Sequence, residues 1–315
     1  MLELKLEHDE KELTAILSLL QVKGLGPVKF RSIYEKFHSF SRVFDLPSYE
    51  IAERLAFPKK IVEGIFPQRE NVGSLEQMAK DQLVKARNLN AHLVTYADRE
   101  YPPNLYNSNH CVPLIYALGD LSILKSEKCC AVVGTRKPTK WTQQEVKSAV
   151  KKLVDDGFTI VSGLAMGIDR IAHLTTIDNN GKTIAVVGCG VDFPYPRQNI
   201  DIRNKIIENG VIISEYPFGT KVLVFGLKKR NKIIVGLSKY VLITQTSQKG
   251  GTMNAYRAAL EQKKTVGIFY PPSNLVKHFN GNLKILKEKK VPVLKFTSGD
   301  RVDFSREDYA QRFLV

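Results

Sequence analysis

Polar and apolar positions fall into two regimes along the chain. Between Glu10 and Leu20 the apolar residues Leu13, Ile16, Leu17 and Leu20 recur three and four apart, which predicts a helix. Val22-Lys23-Gly24-Leu25-Gly26-Pro27-Val28-Lys29-Phe30 then predicts a tight connection into a second helix, with Pro27 at its first turn. Helical patterning continues through Ile33–Phe37, Ser48–Leu55 and Lys59–Ile65, punctuated by Pro47, Pro58 and Pro67, and a longer helix is predicted over Leu75 to Asn88. From His92 the rhythm changes. Short, apolar, strand-like runs occur at His92–Tyr96, Leu114–Leu118, Cys129–Val133, Phe158–Val161, Thr183–Val187, Val211–Ser214, Tyr240–Thr244 and Thr265–Phe269. Helical patterns such as Gln143–Asp155 and Asn254–Gln262 separate several of them. Apolar strands alternating with helices predict an α/β fold with a parallel sheet covered on both faces, and ligands of such sheets bind at the carboxyl ends of the strands.

Those strand ends carry a recurrent chemistry. Cys129–Val133 runs into Gly134-Thr135-Arg136-Lys137-Pro138, and Phe158–Val161 runs into Ser162-Gly163. Thr183–Val187 ends in Gly188-Cys189-Gly190, and Tyr240–Thr244 is followed by Lys249-Gly250-Gly251-Thr252 at a helix start. Small residues at a strand-to-helix turn expose backbone N–H groups beside the positive end of a helix dipole, and two of the four turns add a cation. Together they predict a phosphate-binding rim. The stretch from Val161 to His173 places Gly163 and Gly167 four apart, which is not the G-x-G-x-x-G spacing of a dinucleotide site. Tight strand-to-helix packing is the alternative reading of its glycines, and Gly167, Asp169 and His173 are read as structural.

Charge strengthens the polyanion reading. The net charge is +15, and it is uneven: from Lys221 to Lys264 ten residues are basic and only Glu261 is acidic. Such clustering predicts a nucleic-acid partner. The four cysteines, Cys111, Cys129, Cys130 and Cys189, form no C-x-x-C pair, and the histidines form no metal motif. Reduced buried thiols and no metal or other cofactor are expected. No apolar run is long enough to cross a membrane and the N-terminus lacks a signal-peptide pattern, so a cytoplasmic location and no membrane partner are expected. Trp141 and Tyr195 are expected to pack rather than to stack on bases.

With these residues in order, the chain resembles the DNA-processing protein A (DprA/Smf) family. The resemblance rests on Tyr101-Pro102-Pro103-Asn104-Leu105, Pro113 to Leu121, Val132 to Thr139 with its G-T-R element, and Val161 to His173. It continues through Ala185 to Gly190, Tyr195 to Asn199, Ser214 to Thr220, Arg230 to Ser238, Gly250-Gly251-Thr252 and Ala258 to Gln262. It spans roughly residues 90 to 295. The turn around Gly24-Leu25-Gly26 also resembles that of helix-hairpin-helix modules, with a plain connector in a small bundle as the alternative.

The resemblance implies residues 1–70 as a small helical SAM-like domain and residues 71–300 as an extended Rossmann-like DNA-binding domain with a mixed sheet edge. Many relatives also carry a C-terminal winged-helix domain, but fewer than about twenty residues follow the last family-like strand, Val291–Phe296, too few for a folded domain, so residues 301–315 are expected to be a short tail. It implies a single-stranded DNA-binding protein that protects incoming DNA in natural transformation and loads the RecA recombinase, beside single-strand-binding protein, as a homodimer and without catalysis. Carried over residue by residue, the DNA contacts fall on Gly134, Thr135, Arg136 and Lys137; on Ser162 and Gly163; on Lys228, Lys229, Arg230, Asn231 and Lys232; and on Lys249, Gly250, Gly251 and Thr252. Many relatives carry an aromatic where this chain has Leu227, so either Phe225 takes the base-stacking role or stacking is weak here. A nucleotide-binding or nucleotide-hydrolysing Rossmann-like protein is the alternative, with Glu215 and Asp169 the carboxylates nearest the predicted rim.

Overall fold

The computed structural model describes residues 2–65, 67, 72–288, 293–296 and 302–304. Five helices lead the chain: α1 (Leu2–Leu20), α2 (Pro27–Phe37), α3 (Ser48–Leu55), α4 (Lys59–Ile65) and α5 (Val72–Asn88). They begin where the sequence places punctuation, with Pro27 in the first turn of α2 and Gly24 at φ 88° in the connection before it. Helix α1 packs on α5. Leu13, Ile16, Leu17, Phe30, Ile33 and Ile51 are buried among these helices. Tyr34 and Phe40 join Tyr96, Tyr101 and Tyr106 in an aromatic cluster, so the N-terminal helices and the sheet share one core. The expected boundary near residue 70 lies outside the described residues.

The remainder builds one nine-stranded sheet. Its strands are β1 (His92–Thr95), β2 (Leu114–Gly119), β3 (Cys129–Val133), β4 (Thr159–Ser162), β5 (Thr183–Val186), β6 (Val211–Ser214), β7 (Tyr240–Ile243), β8 (Thr265–Phe269) and β9 (Val293–Phe296). They are arranged in the order β1-β2-β6-β5-β4-β3-β7-β8-β9. The β1–β2 and β2–β6 pairs are antiparallel and the other pairings are parallel, which is the expected parallel sheet with a mixed edge. Intervening helices are α6 (Pro103–Tyr106), α7 (Lys140–Asp155), α8 (Ile168–Asp178), α9 (Ile200–Asn209), α10 (Val224–Leu237), α11 (Thr252–Glu261) and α12 (Asn280–Glu288).

Alternation along the central strands separates two apolar layers. Cys130, Val132, Tyr240 and Leu242 join α7 and α8 on one face. Cys129, Ala131, Val133, Val241 and Ile243 join α10 and α11 on the other. From β3 the chain moves one way through β4, β5 and β6, then returns to place β7 on the opposite side of β3. Crossovers therefore diverge between β3 and β7, and a crevice opens beyond the carboxyl ends of those two strands. Val302 and Phe304 return to the sheet, where Phe304 stacks on Tyr240 at 4.4 Å. Residues 305–315 of the expected tail lie outside the described residues.

Two buried polar groups hold the crevice walls. The Arg230 side chain of α10 enters the interior, where its Nη1 donates to the Val186 carbonyl of β5 at 3.0 Å. Its Nη2 stands 3.6 Å from Asp169 of α8, and both side chains are more than nine-tenths buried. The guanidinium lies flat on Gly163: a Cβ there would sit 1.1 Å from Nη1, so glycine is required by close approach. Gly167, at φ 83°, is required both by conformation and because a Cβ would sit 2.5 Å from the Thr135 carbonyl oxygen. His173 of α8 is fully buried and donates from Nδ1 to Thr183 Oγ1, whose hydroxyl is committed to the Ile160 carbonyl. Burial, reinforced by Arg230, pushes the His173 imidazole down to about 3.

Two outcomes follow from these contacts. Arg230→Ala leaves the Asp169 carboxylate buried without its partner and should cost about 3–5 kcal/mol in urea unfolding. Arg230→Met combined with Asp169→Asn should be less destabilised than Arg230→Met alone. For His173, the unfolded chain takes up a proton near pH 6.5 and the folded chain only near 3. Stability contributed by the neutral ring is therefore full above pH 6.5 and is lost as pH falls through that window, at about 1.4 kcal/mol per pH unit. His173→Gln should flatten that part of the pH–stability curve.

Candidate nucleic-acid interface

The crevice beyond β3 and β7 is a cavity of about 590 Å³. Its floor is the turn after β3, Gly134 to Arg136. One wall is the segment Thr246 to Thr252 that opens α11, and the other is α10, through Val224, Leu227, Lys228, Arg230 and Asn231. Five cationic side chains line it, Arg136, Lys228, Arg230, Lys249 and Arg257, against the single carboxylate of Asp169. Burial pushes the Asp169 carboxyl up, opposed by the Arg230 guanidinium and by the Ala165 N–H that it accepts. Arg136, Lys228 and Lys249 are exposed, and each is without an ion pair among the described residues. Their positive potential is uncompensated at the cavity mouth, as binding a polyanion requires.

Backbone geometry adds to this potential. Helix α11 starts at Thr252 directly after Gly250-Gly251, with no side chain capping its first turn. The Met253 and Asn254 N–H groups of this turn donate to the Gly250 and Gly251 carbonyls, and the positive end of the helix dipole lies beside Lys249 in the cavity lining. The Asn231 amide donates to the Gly251 carbonyl, tying α10 to this turn. Across the floor, the Thr135 N–H donates to the Gln245 carbonyl and the Ile168 N–H to the Thr135 carbonyl, which fixes the G-T-R turn between β7 and α8.

The residues expected to bind DNA divide into those the cavity gathers and those it does not. Gly134, Thr135, Arg136, Lys228, Arg230, Asn231, Lys249, Gly250, Gly251 and Thr252 line it. Lys137 is exposed just outside. Ser162 is the last residue of β4, is fully buried, and donates from Oγ to the Val132 carbonyl at 2.7 Å, so its hydroxyl is spent inside the sheet. Gly163 lies under Arg230, in a second cavity of about 320 Å³ that shares Arg136, Ala165, Leu227 and Arg230 with the first. Tyr195 is half-buried, packs against the core and also lines that second cavity, and Trp141 packs edge-on against Phe269 and Phe279.

The basic run itself is split. Lys228 and Asn231 face the cavity, but Lys229 and Lys232 leave α10 on its far side, where they pair with Glu215 and Glu261. Helical residues one apart point about 100° apart, so adjacent lysines cannot share a face. Phe225 lies outside both cavities, 60% exposed and edge-on to Tyr216, while Val224 and Leu227 supply the apolar surface of the cavity wall. Arg257 was not singled out by motif. Its signal is the i, i+3 spacing with Asn254 on α11, whose Oδ1 accepts from the Arg257 guanidinium at 3.0 Å. Ser247 and Gln248, in the loop after β7, also line the cavity without a sequence signal.

Comparison with known proteins agrees with this architecture. The profile of the family described as DNA recombination-mediator protein A matches residues 92–298. The protein Smf of Synechocystis is 34% identical over 273 residues, covering 86% of this chain and 67% of that protein. The DNA processing protein DprA of Bacillus subtilis is 30% identical over 226 residues, covering 72% of each chain. Among solved structures, DprA from Streptococcus pneumoniae superposes with a TM-score of 0.70 at 26% identity, covering 91% of this chain and 95% of that one. DNA processing protein A from Helicobacter pylori, described for its single-stranded DNA binding mode, superposes with a TM-score of 0.59 at 25% identity, covering 71% of this chain and 95% of that one. Profile, relatives and fold agree over the part of the chain that builds the cationic crevice, and the chain belongs to the DNA recombination-mediator protein A family.

Proposed function

We propose that this chain binds single-stranded DNA, with the phosphate backbone running through the cavity between β3 and β7. The observation that carries the reading is the convergence of five cations and the uncapped start of α11 on one crevice at the point where the sheet's crossovers diverge. Arg136, with its planar fork, and Lys228 and Lys249, as mobile point charges, contact phosphates. Lys137 extends the positive surface. Arg230 acts from beneath, holding Gly163 and Asp169 in place and adding its charge to the floor. The adjoining cavity beside Tyr195 continues the path past Arg136 and Leu227.

The wider role follows the family. We propose that the bound strand is handed to the RecA recombinase beside single-strand-binding protein, in transformation or recombination, by a homodimer acting in the cytoplasm. No catalytic step is assigned. Asp169 is held by Arg230, and Glu215 lies across α10 from the crevice. Among the described residues no helix is long and apolar enough to cross a membrane.

Mobility-shift titrations with single- and double-stranded oligonucleotides at two salt concentrations test the reading: preference for the single strand and steep salt dependence are expected. Arg136→Ala should weaken binding at least tenfold. Lys228→Ala and Lys249→Ala should each lower the slope of log K against log salt by about 0.7, the value for one phosphate contact on a single strand. Lys229→Ala and Lys232→Ala should leave that slope unchanged. Leu227→Phe should tighten binding by roughly 5- to 150-fold, the worth of about 1–3 kcal/mol of stacking per base, whereas Phe225→Ala should have little effect. Equal binding of parent and Arg136→Ala at matched salt would remove the crevice as the site.

A further inference from the structure

The crevice wall that carries Lys249 is a loop. Residues 244–251 connect the end of β7 to the start of α11, and Ser247, Gln248 and Lys249 at its centre are exposed. A cation on such a segment meets a phosphate at a fixed place only if other elements hold the backbone beneath it. The start of the loop is held by the G-T-R side of the crevice. The Gln245 carbonyl accepts from the Thr135 N–H, and Gln245 Oε1 accepts from the Thr139 N–H and the Thr142 hydroxyl.

Beyond Gln245 the support changes hands. Among the described residues, Thr246 to Gln248 are tied to other elements by three bonds, all from the first turn of α12. Asn282 is fully buried. Its Oδ1 accepts from the Thr246 N–H at 2.8 Å, and its Nδ2 donates to the Thr244 carbonyl at 2.8 Å and to the Phe269 carbonyl at 2.9 Å. A flipped amide would set Nδ2 against an N–H and Oδ1 against two carbonyls, so the neighbours fix its orientation. One side chain thus joins the ends of β7 and β8 to the base of the wall. Two residues earlier, Asn280 Oδ1 accepts from the Gln248 N–H at 3.0 Å. Between them, the Gly281 N–H donates to the Thr246 carbonyl at 3.0 Å. A Cβ on Gly281 would sit 2.7 Å from the Thr246 and Ser247 carbonyl oxygens, so helix start and loop meet backbone to backbone.

None of Asn280, Gly281 and Asn282 lines the crevice. We propose that Asn280 and Asn282 are positioning residues for phosphate binding: without touching DNA, they hold the Thr246–Thr252 wall so that Lys249 stands in place before the strand arrives. This role presupposes that the strand runs through the crevice. A wall already ordered in the free protein loses less conformational freedom on binding, and the difference appears as affinity. The effect of Asn280 therefore passes through Lys249. Arg136 is independent of it, because the Arg136 turn is held from Gln245 and Ile168.

A double-mutant cycle tests the proposal, with the affinity of the full chain for a fluorescent oligothymidine measured by anisotropy at one salt concentration. Asn280 is exposed, so Asn280→Ala should fold with little change in melting temperature. It should weaken binding roughly 2- to 12-fold, the worth of one net hydrogen bond. In the Lys249→Ala background the same change should weaken binding by less than about twofold, whereas in the Arg136→Ala background it should keep its full effect. A general loss of structure would give the same loss in all three backgrounds. Asn282→Ala should show the same pattern with a larger loss; if it does not fold, Asn280→Ala decides alone. Trypsin cleavage after Lys249 in the free protein, followed by mass spectrometry, needs no DNA and should quicken in Asn280→Ala. Equal losses in the three backgrounds, unchanged affinity of Asn280→Ala beside a weakened Arg136→Ala, or unchanged cleavage after Lys249 overturns the positioning role. Parent-like binding by Arg136→Ala overturns the crevice reading itself, and the role of Asn280 with it.

Discussion

One guanidinium ties this structure together. Arg230 leaves α10, crosses above Gly163 and ends between the Val186 carbonyl and the Asp169 carboxylate. It thereby joins the ends of β4 and β5 to α8 and α10, four elements brought together from separate parts of the chain. A buried charge of this kind gains little net stability over a well-packed apolar pair, yet it tolerates one arrangement of neighbours only. That constraint sets where α10 lies relative to the sheet. The position of α10 in turn decides which of its cations reach the crevice.

The same helix separates two chemically different spaces. Along one face, Lys228, Arg230 and Asn231 look into a wide cationic crevice. Along the other, Lys229 and Lys232 are neutralised by Glu215 and Glu261 at the edge of a mostly apolar cavity. Positive charge is thus concentrated on the crevice side rather than spread round the helix. Since crevice cations without ion pairs give up only water and counterions to a polyanion, the electrostatic gain there is not spent on breaking internal pairs.

Most of the sheet was legible in the sequence. Continuous apolar runs bounded by small residues are what a strand covered on both faces must look like, and Cys129–Val133 and Thr265–Phe269 form as expected to the residue. The turns at the strand ends were legible because glycines and cations recur there. Two features were hidden. Helix α10 carries Gly226 and Gly236 and has cations on two faces and apolar residues on the rest, so it shows no amphipathic stripe, and its lysines read as one linear run. Ser162 closes β4 rather than opening the turn after it, and its hydroxyl donates to the Val132 carbonyl of β3 instead of facing the crevice. Both differences arise from tertiary packing that local patterning does not encode.

If the strand runs through the crevice as proposed, α10 presents Lys228 to DNA and turns Lys229 and Lys232 away from it. Amine acetylation of the protein with and without a saturating thymidine oligonucleotide, read lysine by lysine by mass spectrometry, addresses it directly. Strong protection of Lys228 and Lys249 and unchanged labelling of Lys229 and Lys232 are expected. Equal protection of all four, or protection of Lys229 and Lys232 alone, would contradict it.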